Sequence, residues 1–164
     1  MNYRLPVACL LLAWLPCARG EVGATREQCD KLYGQPVAVH ARAEWSYPVA
    51  VPVRLPSSAT QICVYAVGTN GTVAAFFRQQ DEQLVCIAQY LTVRGPADQA
   101  RKTFLKPPSA GVRWQDSAPA WKPTGIYKYR TYARTDGKAQ GYSMTRLLDG
   151  VETLEMALYD PARW

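Results

Sequence analysis

The sequence predicts an α+β fold: two helix-then-antiparallel-strands units, with the helices packed on a twisted antiparallel sheet. Three observations predict it. Two short stretches space their apolar residues for a helix, most of the remainder alternates with a period of two, and Asn-Gly or Asp-Gly turns separate the alternating runs. Length and composition agree, since 164 residues at 48% hydrophobic and 20% charged describe a globular chain. Residues 1–20 read as an export signal, which leaves 21–164 as a single domain able to bury a core without a metal.

The leader has a basic start at Arg4, an apolar stretch from Leu5 to Leu15, a break at Pro16, and Ala18 and Gly20 as the small residues of a cleavage site. That is the pattern of a cleaved Sec signal peptide. The apolar stretch is too short to cross roughly 30 Å of hydrocarbon, so no transmembrane segment is expected. The expected location is the periplasm or the extracellular space. A lipid anchor on Cys17 is the competing reading, although Trp14-Leu15-Pro16 lacks the small residue that a lipoprotein box needs before its cysteine.

The first element after the leader is a short helix. Thr25 with Gln28 makes a capping box, Cys29, Leu32 and Tyr33 share one face, and Gly34 and Pro36 end it. From Val37 to Leu55 apolar residues hold every odd position, which predicts extended chain, with Pro48, Pro52 and Pro56 confining its second half to an edge. Gln61–Gly68, Thr72–Arg78 and Leu84–Val93 read as a three-stranded meander, its first turn at Asn70-Gly71. Alternation places Val73, Ala75, Phe77, Leu84, Cys86, Ala88 and Tyr90 toward the core, with Arg78 and Gln89 facing out.

Gly95-Pro96 opens a second helix striped by Ala97, Ala100, Phe104 and Leu105 and ended by Pro107-Pro108. Pro107 to Gly125 reads as a loop of nineteen residues carrying Trp114 and Trp121. A connection this long is functional or pinned by its aromatic side chains. Ile126–Arg134, Tyr142–Leu148 and Thr153–Tyr159 complete the plan as three strands.

Outside the cytoplasm disulfides persist. Cys29, Cys63 and Cys86 allow one bridge and one spare thiol, without the paired short spacing of a zinc site. The two strand cysteines lie on the outer strands of the meander, nearly 10 Å apart, so any bridge includes Cys29.

Motifs for catalysis are scarce. His40 is the only histidine and sits at a polar position of the alternating segment. There is no nucleophile elbow, phosphate loop, dinucleotide fingerprint or Cys-x-x-Cys, so no catalytic residue, cofactor or metal is assigned. The local carboxylate pairs, Asp81-Glu82 and Glu152 with Glu155, keep a small hydrolase as a third reading.

Charge is uneven: residues 94–138 carry ten basic and three acidic side chains, while the flanking segments balance or lean acidic. Within the surplus, alternation over Ile126–Arg134 places Tyr127, Tyr129, Thr131 and Ala133 on one face and Lys128, Arg130, Tyr132 and Arg134 on the other, with Lys138 in the next turn. The cationic face, read as solvent-facing, is a candidate for an anionic polysaccharide or cell-wall polymer. A nucleic-acid partner is not expected.

Arg26-Glu27-Gln28-Cys29-Asp30-Lys31-Leu32-Tyr33-Gly34-Gln35-Pro36, a short helix closing on Gly-x-Pro before a strand, resembles the opening of small outer-membrane assembly lipoproteins of the SmpA/OmlA type and of the related β-lactamase inhibitor proteins. It is also similar to small secreted bacterial proteins with a Tyr-Gly-x-Pro helix end and a later Trp followed by Trp-Lys, here Trp114 and Trp121-Lys122. The resemblance implies helices on a twisted antiparallel sheet and a non-catalytic, protein-binding role in the envelope or outside the cell. The leading expectation is therefore an exported interaction module with an envelope or extracellular protein as partner.

Overall fold

The computed structural model describes residues 21–45, 56–119, 124–126 and 128–163. The leader with Cys17, the segment 46–55, Trp121 with Lys122, and Tyr127 lie outside the described residues. In chain order the elements are α1 (Arg26–Tyr33), β1 (Ala38–Ala41), β2 (Gln61–Val67), β3 (Gly71–Gln80), β4 (Gln83–Arg94), α2 (Ala97–Phe104), β5 (Trp114–Ser117), β6 (Lys128–Arg134), β7 (Gln140–Leu148) and β8 (Val151–Tyr159).

All eight strands belong to one sheet in the order β1-β2-β3-β4-β8-β7-β6-β5, antiparallel at every pairing. This corrects the expected α+β plan of two helix-then-strands units. The described residues are dominated by a single continuous sheet, joined across its middle by β4 and β8, and among them α-helix is limited to two segments of eight residues each. β3, β4, β7 and β8 outgrew their expected lengths because their pairing partners are long: β4 runs for twelve residues and finds partners on both sides, β3 and β8.

Both helices lie on the same face. Cys29 and Tyr33 of α1 and Ala97 and Phe104 of α2 join one core with Cys63, Tyr65, Val73, Ala75, Phe77, Cys86, Leu91, Leu154, Met156 and Leu158. The opposite face buries a second, smaller cluster of Ile62, Ala74, Phe76, Ile87, Ala88, Tyr90 and Ala157, with Trp45 packed edge-on to Phe76 at 5.1 Å between ring centres.

Three local readings are corrected. The alternating run after Val37 is not one extended segment, because residues 42–44 form a 3-10 turn in which the Glu44 carboxylate accepts from the Ala41 N–H at 3.3 Å. The long loop contains an edge strand, β5, pinned to β6 from Trp114 opposite Arg134 to Ser117 opposite Thr131. The meander does not keep one parity. A bulge pairs Phe76 with Ala88 and Phe77 with Cys86, leaving Ile87 as the extra residue. Beyond it Ala88 and Tyr90 move to the far face and Gln89 turns inward, 1% exposed, where its side-chain oxygen accepts from Glu21 N at 2.8 Å and Tyr33 Oη at 3.4 Å.

Candidate functional site

The cationic strand is the first place to look, and its side chains are engaged. Register puts Lys128, Arg130, Tyr132 and Arg134 on the helix-bearing face, opposite Thr145, Ser143, Gly141 and the end of β7. Lys128 Nζ lies 3.3 Å from Asp98 on α2, Arg130 lies 3.2 Å from Asp116 on β5, and Arg134 Nε donates to Asp136 at 2.8 Å with its guanidinium 5.8 Å from the centre of the Trp114 ring. Two of the side chains expected to face solvent do not. Tyr132 is 4% exposed and shares a hydrogen bond with Ser143 Oγ at 2.8 Å, and Arg134 is 7% exposed. Alternation is blind to this, because it separates two faces of a strand and cannot say which is covered.

The electrostatics follow from the pairing. The Lys128 ammonium bonded to Asp98, with Arg101 beside it, holds that carboxyl below its ordinary value, and the Arg134 guanidinium does the same to Asp136. Lys138 is exposed in the β6–β7 turn, where its backbone N–H donates to the same Asp136 carboxylate at 3.0 Å.

The face away from the helices is different. Over β5, β6 and β7 it carries Gln115, Ser117, Tyr129, Thr131, Ala133, Gln140 and Tyr142, which with Tyr159 line an open cleft of about 570 Å³. Tyr129, Tyr142 and Tyr159 are each half-buried, and the first two rings sit 6.1 Å apart with a 34° tilt. Ser117 and Thr131 join their hydroxyls across the strands at 2.7 Å. The arrangement offers aromatic area and mostly neutral hydrogen-bonding groups, with Asp116, paired to Arg130, also at its margin. Sequence reading missed it by looking at the charged face of β6, although Tyr129 and Thr131 stood at alternate positions of the same strand.

His40 is half-buried at the other end of that face, where it lines a smaller cleft of about 250 Å³ with Glu44, Trp45, Thr72, Tyr90 and Thr92. Of the carboxylate pairs that suggest a hydrolase, Glu152 and Glu155 are divided by the sheet. Glu152 sits on the helix side, where its carboxylate accepts from the Ala97 N–H at 3.1 Å and caps α2. Glu155 is on the other side, 1% exposed and ion-paired with Arg146. Asp81 and Glu82 form an exposed turn between β3 and β4.

Cys29 on α1 and Cys63 and Cys86 on the strands beneath it are free thiols and fully buried. Burial pushes the Cys63 and Cys86 thiols up, and does the same to the Tyr33 phenol. Tyr65 is raised by burial and by the hydrogen bond that its hydroxyl donates to Asp30 at 2.7 Å. Among the described residues no cluster of histidine, cysteine or carboxylates is arranged to hold a metal ion, and no helix is long and apolar enough to cross a membrane. Set against known proteins, the chain matches no family model, no curated protein and no solved structure.

Proposed function

We propose that this chain is an exported, non-catalytic binding module that holds a protein partner in the tyrosine-lined cleft on the sheet face away from its helices. The observation that carries the reading is the cleft of Tyr129, Tyr142 and Tyr159 among Gln115, Ser117, Thr131 and Gln140. Tyrosine supplies large amphipathic contact area at small entropic cost, while short hydroxyl and amide side chains adapt their hydrogen bonds to a partner, the same division of labour found in antibody paratopes. The leader supports export, and the opening helix that resembles envelope assembly lipoproteins supports a protein as the partner. An anionic polymer has less to hold, because Lys128, Arg130 and Arg134 already face carboxylates.

A photoreactive residue at Ala133, exposed in the cleft, tests the reading against one at Lys102 on the exposed side of α2. In envelope extract the Ala133 probe should give a discrete protein adduct that the Lys102 probe does not, reduced at least roughly tenfold by Tyr129→Ser as expected for loss of an interfacial tyrosine. Equal adducts from the two positions, or none from Ala133, would sink it. Salt-sensitive heparin binding that fell with Lys128→Ala and Arg130→Ala would move the site to the helix-bearing face instead.

A further inference from the structure

Cys29 of α1 shares one buried core with Cys63 and Cys86 of the sheet, and the backbone ties the entry of α1 to one of these two strand cysteines while holding them apart from each other. The chain leading into α1 runs along β4: Gly23 N donates to Cys86 O at 2.8 Å, Cys86 N donates to Ala24 O at 2.8 Å, and Thr25 bridges Val85. Cys29 N then closes the first helical turn on Thr25 O at 3.0 Å, which stands Cys29 one turn above Cys86. The two side chains are in hydrogen-bonding contact and share a core from which solvent is excluded. Cys63 is placed otherwise. It pairs with Ala75 while Cys86 pairs with Phe77, so β3 lies between their strands. Two strand spacings come to about 10 Å, beyond the roughly 7 Å between Cα atoms that a bridge spans.

We propose that Cys29 and Cys86 form a disulfide that staples α1 to β4 and leaves Cys63 as a buried free thiol. The oxidant is a thiol-exchanging disulfide. One cysteine thiolate attacks it, forming a mixed disulfide and releasing one oxidant thiolate. The second cysteine thiolate then attacks the protein sulfur of that mixed bond, closing the Cys29–Cys86 bond and releasing the second oxidant thiolate. The two cysteines lose two protons and two electrons, and the oxidant disulfide takes up both as two thiols. Because all three thiols are shut away in the folded chain, the exchange occurs during folding, before α1 docks. The oxidising setting rests on the export reading above.

The test supplies its own oxidant, so that failure of the staple and failure of export are distinguishable. The full chain is refolded from denaturant in a mixture of oxidised and reduced glutathione, alkylated, digested and mapped by mass. The expected map joins the peptides containing Cys29 and Cys86 and finds Cys63 alkylated. Cys63→Ala should keep the bond, and reduction should lower the melting temperature of the wild type and of Cys63→Ala but not of Cys29→Ser. Alkylation of both Cys29 and Cys86 in the refolded wild type, or a bond that includes Cys63, overturns the proposal.

Discussion

Beneath α1 the sheet presents Cys63, Tyr65, Val73, Phe77 and Cys86, every one fully buried and uncharged, whereas beside α2 it presents Tyr132, Ser143 and Thr145 with the cations Lys128, Arg130 and Arg134 along the edge. The helices are secured in correspondingly different ways. α1 carries its own cap, with Thr25 Oγ1 accepting from Gln28 N at 3.3 Å and Gln28 Oε1 accepting from Thr25 N at 2.8 Å. α2 has no side-chain cap from Pro96 and borrows Glu152 from the start of β8, while Asp98 reaches across to Lys128. α1 adds to its apolar burial the hydrogen bonds from Arg26 to Gln61 at 2.6 Å and from Tyr65 to Asp30 at 2.7 Å, whereas α2 adds to burial at Ala97 and Phe104 a cap and an ion pair supplied from distant strands. The difference teaches that a helix with poor local signals can be secured by tertiary contacts, at the cost of sensitivity to pH and salt.

The sharpest way to break this comparison is Phe77→Ala. Phe77 is fully buried on the α1 side, and its loss should cost about 3 to 5 kcal/mol in denaturant unfolding, against about 0.5 or less for the exposed Arg78→Ala. Equal losses would mean that the core under α1 is not apolar packing. Gly141→Ala comes next. A Cβ there would meet Ala157 O at 2.1 Å and Leu158 Cδ2 at 2.6 Å, so β7 must shift, and a loss of roughly 1 to 3 kcal/mol is expected from melting curves. An unchanged melt would show that β7 and β8 are less closely paired than described.

Glu152→Ala removes the borrowed cap of α2, and about 1 kcal/mol should go with it, read out as faster amide exchange in Ala97–Phe104 while Arg26–Tyr33 is unaffected. Equal acceleration in both helices would dissolve the distinction between them.

Titration sharpens the comparison from both ends. Asp98 on α2 is held by Lys128 and Arg101 below the ordinary carboxyl value of 3.8, so its contribution is present above that value and is lost as pH falls through the depressed one. Acid should loosen the α2 side first. Cys63, the thiol that the proposed staple leaves free, lies above the ordinary thiol value of 9.0, so its contribution is complete below that value and is lost as pH rises beyond it. Alkali should loosen the α1 side first, and hydrogen exchange at the two extremes should show opposite orders of opening. The smallest effect belongs to Lys128→Ala, whose pair with Asp98 is 46% and 57% exposed and should be worth about 0.2 to 1 kcal/mol. That loss should vanish in high salt; a loss that persists there would point to packing instead.

Local chemistry was legible wherever the deciding contacts are close in sequence. The capping box of Thr25 and Gln28, the Gly34 stop and the hairpin at Asn70-Gly71 could be read because each is completed within a few residues. The bulge at Ile87 was not legible, since nothing in Leu84–Val93 marks where the partner strand withholds a residue. Nor was β5: Trp114–Ser117 has the composition of a loop and becomes a strand because β6 offers it an edge.

The candidate site divides along the same line. The sequence by itself determined the alternation of β6, and so which of Tyr129, Thr131, Lys128 and Arg130 share a side, because side-chain direction in a strand is a backbone property of period two. Only the tertiary structure decided which side is covered. α2 and the acids Asp98 and Asp116 came to rest against the cations, and the tyrosines line the cleft on the other face. Those partners lie 30 and 14 residues from the cations they meet, and contacts at such separations are set by strand order and helix placement rather than by any local pattern.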